Sequence, residues 1–412
     1  MDKPARVVVT GLGVLSAFGQ GRAEFEAGLF ASASALRPIT SLDTSRFACH
    51  WGGELPGFDT QGLVRKADAH CYDRVSLLAL AAADEALAEA GLDPQSIGGR
   101  AGVMMGSAFG PAASIQDAVE RVARDQRLRP TTLLKIMLNG PTAALAARYG
   151  LERASTAHVT ACAASGHALA QATRSLQQGE MDVCLAGGAE AFPGTALFAA
   201  WDALAVMSPQ TDPATGIMRP FTRERQGFVI GEAAAVLVLE RLEHAQARGA
   251  RILGEILGSG AVSDTPSLTR PTQRGMAGAM RAALADAGLS PAQVGHINAH
   301  GTATDLNDAL ESAAIAEVFG AGPVVSACKP AVGHCMGAGS ALEAVATVLA
   351  LQRQQAPHAV DPFWEGVGLA PAWQGGGRTV PLATDVALSN SFAFGGHFVS
   401  LAFRRFPATS AG

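Results

Sequence analysis

The sequence predicts an α/β fold in which two related halves stack sheets and helices in layers. Three observations carry that reading. A segment recurs: Ala86–Gly98 returns as Ala283–Gly295 with eight of 13 positions identical. Each copy is an alanine-rich helix closed by a glycine and a turn, and each runs on into a short apolar segment, Ala101–Gly106 in one half and His296–Gly301 in the other. Strand-like and helix-like runs alternate along the chain, the order of mixed or parallel sheets covered by helices. The 82 alanines and 47 glycines among 412 residues supply small side chains that let such layers approach closely.

Taken in order, Arg6–Thr10, Ala101–Met105, Ala233–Leu239 and Val386–Leu388 read as buried strands. Gly166–Gln177 and Ser340–Leu351 read as buried helices in comparable places of the two halves. The division is expected at 1–250 and 251–412.

Composition excludes several classes. With 48% hydrophobic and 16% charged residues the chain is neither disordered nor a polar array. No apolar run approaches the roughly 18 residues of a membrane span, and the N-terminus passes almost directly into a strand, so no export signal is expected. A net charge of −5 gives no global basic field for nucleic acid or an anionic membrane. The six cysteines form no C-x-x-C pair, and a reducing cytoplasm is the expected compartment. Cys328, His334 and Cys335 lie close together but lack zinc-ligand spacing, so no metal is expected.

Cys162 stands between an apolar strand and a small-residue helix that opens at Ala163–Ser165. Unpaired N–H groups and the positive end of a helix dipole favour thiolate there, and thiolate is the nucleophilic form. Cys49, Cys71 and Cys184 read as structural cysteines. Two histidine motifs lie at strand-to-helix turns of the other half: His300-Gly301-Thr302-Ala303-Thr304 and Lys329 to His334. Equivalent turns of duplicated halves can meet at one site.

Thr160-Ala161-Cys162, the His300 motif and Lys329 to Gly337 together resemble the β-ketoacyl-acyl carrier protein synthases, decarboxylating condensing enzymes of the thiolase superfamily. The resemblance spans the chain: Val8 to Val14, Ala186 to Glu190, Arg219 to Phe221, Gly227 to Glu232 and Asn390 to Gly396. It implies a thiolase-like fold in α-β-α-β-α layers. It also implies decarboxylative condensation of an acyl thioester with a malonyl-carrier through an acyl-cysteine. By motif match, Cys162 would be the nucleophile and His300 and His334 the donors to the enolate. Lys329 would hold charge near them, with Glu311 its matching acid. Phe394 would be gate and oxyanion donor, and Phe392 would share its loop. Thr302 and Thr304 would bind the phosphopantetheine arm, although they could instead cap the next helix. Phe109 would fall near the end of the acyl pocket.

The implied partner is an acyl carrier protein that brings its own phosphopantetheine, so no bound cofactor is expected. Arg65, Lys66, Arg74, Arg129 and Arg225 are candidates for the docking patch. A homodimer, or a heterodimer with a related ketosynthase or chain-length factor, is expected. Departures from the family include His397 and Phe398 for a Thr-Asn pair, Cys328 and Cys335 around the Lys-to-His motif, Thr222, Asp305, and Pro266, Arg270 and Pro271 in the Ser263–Arg274 loop. They favour a specialised polyketide or polyene pathway over housekeeping fatty acid synthesis. Two rivals stand beside this reading. A coenzyme A-dependent thiolase would need a second catalytic cysteine, and none follows Cys335. A non-catalytic chain-length partner usually lacks the nucleophile that this chain retains.

Overall fold

The structure is a computed structural model that describes residues 4–94, 97–213, 216–360 and 378–407. Gln95 and Ser96 of the first repeat copy therefore lie outside the described residues. Ten strands and six helices form the duplicated core. The first half contributes β1 (Val7–Ser16), α1 (Arg74–Ala90), β2 (Ala101–Gly106), α2 (Gly140–Tyr149), β3 (Ser155–His158), α3 (Ala164–Gln177), β4 (Val183–Glu190) and β5 (Ala233–Arg241). The second contributes β6 (Gly254–Ser263), α4 (Gln273–Ala287), β7 (His296–Asn298), α5 (Asp305–Phe319), β8 (Val324–Ser326), α6 (Met336–Arg353), β9 (Val386–Ala393) and β10 (His397–Arg404).

Sheet order repeats with the sequence. The first half runs β3-β2-β4-β5-β1 and the second β8-β7-β9-β10-β6. In each, the first three neighbours are parallel and the remaining pairings antiparallel. The halves join where β1 pairs with β6, Val7 opposite Ile256.

The repeated segment carries the same helix-ending device twice. Gly91 and Gly288 both close their helices in the left-handed region, each at φ 64°. Asp73 and Thr272 cap the two N-termini, accepting from Val75 N and Gly275 N. Helix α1 packs on β1, β5 and β4, and α4 on β6 and β10, so these are outer layers. Helices α3 and α6 touch strands of both halves and form the middle layer. Every residue of α6 from Met336 to Leu351 is buried, as expected for a helix covered on all sides. Close approach explains the small residues: a Cβ on Gly13 of β1 would stand 1.8 Å from the Ala82 carbonyl of α1. The expected strands and buried helices are all present; Arg6 falls just before β1, and the other ends match or extend to the bounds above.

Candidate active site

The site forms where the two middle helices begin. After β3 the chain turns through Ala161, which has φ 49°, into a single 3-10 turn and then α3. A left-handed non-glycine residue costs of order 1–3 kcal/mol and persists where its surroundings fix it. The fixing contacts come from α6: Ser340 Oγ donates to Cys162 O at 2.9 Å, and Ala341 N donates to Ser165 Oγ at 2.9 Å. The corresponding turn of the second half has its own left-handed residue, Met336 at φ 39°.

His334 is held by backbone pairing. Its N–H donates to Val229 O at 2.8 Å, and Gly231 N donates to His334 O at 3.0 Å. The Gly227–Glu232 motif thus acts as a strap under the histidine turn. The ring then places Nε2 3.1 Å from Cys162 Sγ. His300, on the turn after β7, stands edge-on to His334 with ring centroids 5.5 Å apart.

Lys329 lies behind His300, with Nζ 3.2 Å from its Nδ1 and also donating to its carbonyl. An ammonium can only donate, so Nδ1 accepts and Nε2 carries the ring proton toward the site. The acid that pairs with Lys329 is Glu343 of α6, at 2.5 Å, and not Glu311. Glu311 instead accepts His300 N at 2.7 Å and Gly301 N at 2.9 Å, fixing the backbone of the histidine loop. A signal for Glu343 was available. It is the one charged residue in the buried Met336–Leu351 run, and buried charges need a partner.

Burial corrects the thiolate expectation. It pushes the Cys162 thiol up to about 12, although the positive charge of Lys329 works the other way. Burial, assisted by Lys329, holds His334 and His300 well below the ordinary histidine value. Burial thus works against charge on both the thiol and the imidazole. Sulfur and ring nitrogens of Cys162, His300 and His334 lie within 4.8 Å of one another. Lys329 at the back of His300 makes that cluster a poor seat for a further cation.

A cavity of about 440 Å³ opens onto both histidines, walled by Trp201, Phe228, Thr302, Phe392 and Phe394 among others. A cysteine beside one imidazole, with a second imidazole next to it at the cavity wall, suits acyl transfer followed by stabilisation of a developing oxyanion.

Comparison with known proteins agrees. The profile described as "Beta-ketoacyl synthase, N-terminal domain" matches residues 5–245, and its C-terminal counterpart matches residues 253–361. The chain belongs to the β-ketoacyl synthase family. A 3-oxoacyl-[acyl-carrier-protein] synthase 2 of Synechocystis is 35% identical over 97% of this chain and 98% of its own. The ishigamide ketosynthase/chain length factor superposes with TM-score 0.90 at 34% identity, covering 98% of this chain and 100% of that one. A type II polyketide ketosynthase, solved with its acyl-carrier protein and a hexaketide, gives TM-score 0.86 at 28% identity over 98% and 100% of the two chains.

The other expected residues of the synthase fall around this centre. Thr302 and Thr304 line the cavity, and their hydroxyls lie 2.9 Å apart. Thr304 stands at the N-cap of α5 without a side-chain cap bond, so simple helix capping is not what this pair does. Phe394 faces the cavity and stacks on Trp201 at 6.0 Å. Phe109 sits one ring further back, edge-on to Trp201 at 6.0 Å. Trp201 was missed in the sequence because nothing local marks it; only the fold brings it between Phe109 and Phe394.

The departures also find places. Phe398 is buried against Phe392, which meets His300 edge-on at 6.2 Å. His397 meets His167 edge-on at 6.3 Å, and His167 Nδ1 lies 3.0 Å from Ala163 O. The divergent Ser263–Arg274 loop is tied to the turn after Phe394: Gly395 N donates to Leu268 O at 2.8 Å, and Thr265 Oγ1 to Gly395 O at 2.6 Å. Of the basic residues, Arg225 lies at the cavity mouth and donates to the carbonyls of Thr304 and Asp305. Arg74 is committed to Glu232 at 2.5 Å, and Arg129 lines a separate basic depression with Arg121 and Lys135. Arg65 pairs with Asp68 but stays 86% exposed, and Lys66 is exposed.

Proposed function

We propose that the chain catalyses decarboxylative Claisen condensation between an acyl thioester and a malonyl thioester, both delivered on an acyl carrier protein. The observation that carries this reading is the contact of Cys162 Sγ with His334 Nε2 at 3.1 Å, with His300 alongside, at an apolar cavity. In the first half-reaction, Cys162 sulfur attacks the acyl carbonyl as its proton passes to His334 Nε2. The carrier thiol leaves with a proton, and the acyl group remains on Cys162. Backbone N–H groups of Cys162 and Phe394 serve the tetrahedral oxyanion. In the second, the malonyl group loses carbon dioxide. His300 Nε2–H, and His334 with a proton taken up from solvent at Nε2, hold the thioester oxygen of the enolate. Carbon–carbon bond formation then breaks the C–S bond, and the released sulfur takes the His334 Nε2 proton to return the thiol. The stretch 1–250 contributes the nucleophile and 251–412 the histidines.

The phosphopantetheine arm would lie along Thr302 and Thr304, reaching the cavity past Arg225. Arg65 and Lys66 suit docking of an acidic carrier because they remain exposed. Rim charges act mainly on association rate, so reversing both charges should lower carrier-dependent kcat/KM several-fold, most strongly at low salt; unchanged turnover removes that patch. We place the protein in the cytoplasm. Among the described residues no helix is long and apolar enough to cross a membrane.

A second chain of the same fold fits one face. Beyond β2, strand β3 has no further partner among the described residues, and Val119, Val122, Leu133 and Leu134 are exposed nearby in sequence. An open strand edge and exposed apolar side chains favour cover. Whether the partner is a copy or a related chain decides between homodimer and active half of a heterodimer. Solution mass alone and with neighbouring gene products separates these.

The direct test is intact mass after incubation with acyl-carrier and malonyl-carrier. An acyl adduct mapping to Cys162, and a product two carbons longer, are expected. An adduct elsewhere overturns the assignment.

A further inference from the structure

Glu190 is a buried acid for which the chemistry above has no use. It ends β4 at 3% exposure. One oxygen accepts Ser107 Oγ and Phe109 N, each at 3.1 Å; the other accepts Ala108 N at 2.6 Å and Gly337 N at 2.9 Å. All four donors are uncharged. Burial pushes this carboxyl up to about 7, and the donors pull it down.

The donors come from two places. Three belong to the turn after β2, which carries Phe109 behind the Trp201 wall of the cavity. The fourth, Gly337, follows His334 by three residues at the start of α6. One carboxylate therefore ties the acyl wall of the first half to the imidazole turn of the second. There is no slack between them. A Cβ on Gly337 would stand 2.2 Å from Ala108 N, and one on Gly188 would stand 3.0 Å from Gly337 O. A shift of the Phe109 turn must be passed on to the His334 turn, because close-packed backbones do not absorb it.

We propose that Glu190 is a positioning residue that joins the Phe109 wall of the acyl pocket to the His334 turn, so that the fit of the acyl chain sets the placement of the imidazole used in decarboxylation. The inference rests on the ketosynthase reading and adds to it a link between chain fit and the second half-reaction. Glutamine cannot replace the carboxylate, since an amide offers one acceptor oxygen and turns an NH₂ group toward N–H donors.

The test measures two single-turnover rates across a series of acyl donors: acylation of Cys162 by intact mass, and carbon dioxide release from malonyl-carrier. Misplacing a catalytic group by about 1 Å costs about 100-fold in rate. Glu190→Gln should therefore slow both steps that use His334, acylation and carbon dioxide release, by up to about 100-fold, and leave KM for malonyl-carrier within about threefold. The preference of carbon dioxide release for well-fitting acyl chains should vanish. Ser107→Ala removes one donor from the Phe109 side and should fold normally; about a threefold to tenfold loss in carbon dioxide release is expected from this partial loosening. A preference for well-fitting acyl chains that survives unchanged in Glu190→Gln, or carbon dioxide release at the wild-type rate in both variants, overturns the proposal alone. A wild-type protein that neither forms the adduct nor releases carbon dioxide overturns the ketosynthase reading with it.

Discussion

The turn after β3 and the turn after β8 occupy equivalent places in the two halves, and they have diverged in charge. The first, Thr160–Ser165, contains Cys162 and otherwise only small or hydroxyl side chains. The second, Cys328–Gly337, contains Lys329 and His334 and draws Glu343 into a buried ion pair. Each has a left-handed residue, Ala161 in one and Met336 in the other. The shared backbone device aims both turns at one point, while the difference in charge divides the work. An uncharged turn keeps the thiol in a low-dielectric setting, and a charged one fixes the tautomer of His300.

The sharpest way to break this comparison is to empty the uncharged turn. Cys162→Ala should abolish the covalent acyl adduct in intact-mass measurements. Cys162→Gln should also lose condensation yet retain carbon dioxide release from malonyl-carrier, because the histidine turn is intact. If Cys162→Gln lost decarboxylation as fully as condensation, the two turns would not be separable in function.

Next come the histidines. Loss of one oxyanion-type donor typically costs about 10²–10³-fold, so His300→Ala and His334→Ala should each lower carbon dioxide release by about that factor. The pair should differ in acyl transfer. His334 touches the sulfur at 3.1 Å, so its removal should slow acylation much more than removal of His300. Burial holds both imidazoles well below their ordinary range. Neither imidazole should consequently gain a proton near pH 6.5, where an ordinary histidine does, so the ring NMR signals of His300 and His334 should stay unchanged through that pH. A ring signal that titrated there would show that a site histidine titrates normally.

The buried ion pair can be tested apart from the chemistry. Glu343→Gln leaves Lys329 charged without its partner, and such a change costs about 3–5 kcal/mol of stability, read by denaturant midpoint. The double variant Lys329→Met with Glu343→Leu should recover most of that stability, since an apolar pair of similar volume is often neutral. It should not recover decarboxylation, because nothing would then donate to His300 Nδ1. Recovery of both would reduce the pair to a packing element.

Much of this was legible before the fold was known. The repeat announced two halves, and twin glycine caps at Gly91 and Gly288 are the physical cause of its likeness. Cys162, His300, His334 and Lys329 were legible because catalytic residue types at strand-to-helix turns stand out in short motifs. Glu343 was marked only as a lone charge in an apolar run, and its partner, 14 residues back in the preceding helical turn, was not given by any motif spacing. Trp201 was not legible. Trp201 acts only through tertiary contacts with Phe109, Phe228 and Phe394. The thiolate expectation left burial out, because the sequence displays a helix N-terminus but not the depth at which it is buried.

The smallest effects belong to the acyl wall, where the comparison becomes one between neighbouring rings. Trp201 lines the cavity, while Phe109 reaches it only through Trp201. A change of one methylene in an apolar pocket is worth about 10–200-fold in discrimination. Trp201→Leu should therefore raise kcat/KM for donors a few carbons longer by about tenfold relative to short ones. Phe109→Ala removes a ring that the chain does not touch directly, so it should act by freeing Trp201 to move and give a shift of only a few-fold. In the double variant the two effects should fall short of adding, because residues in contact share one response. An acyl-length profile unchanged in Phe109→Ala would detach that ring from specificity and leave Trp201 alone as the wall.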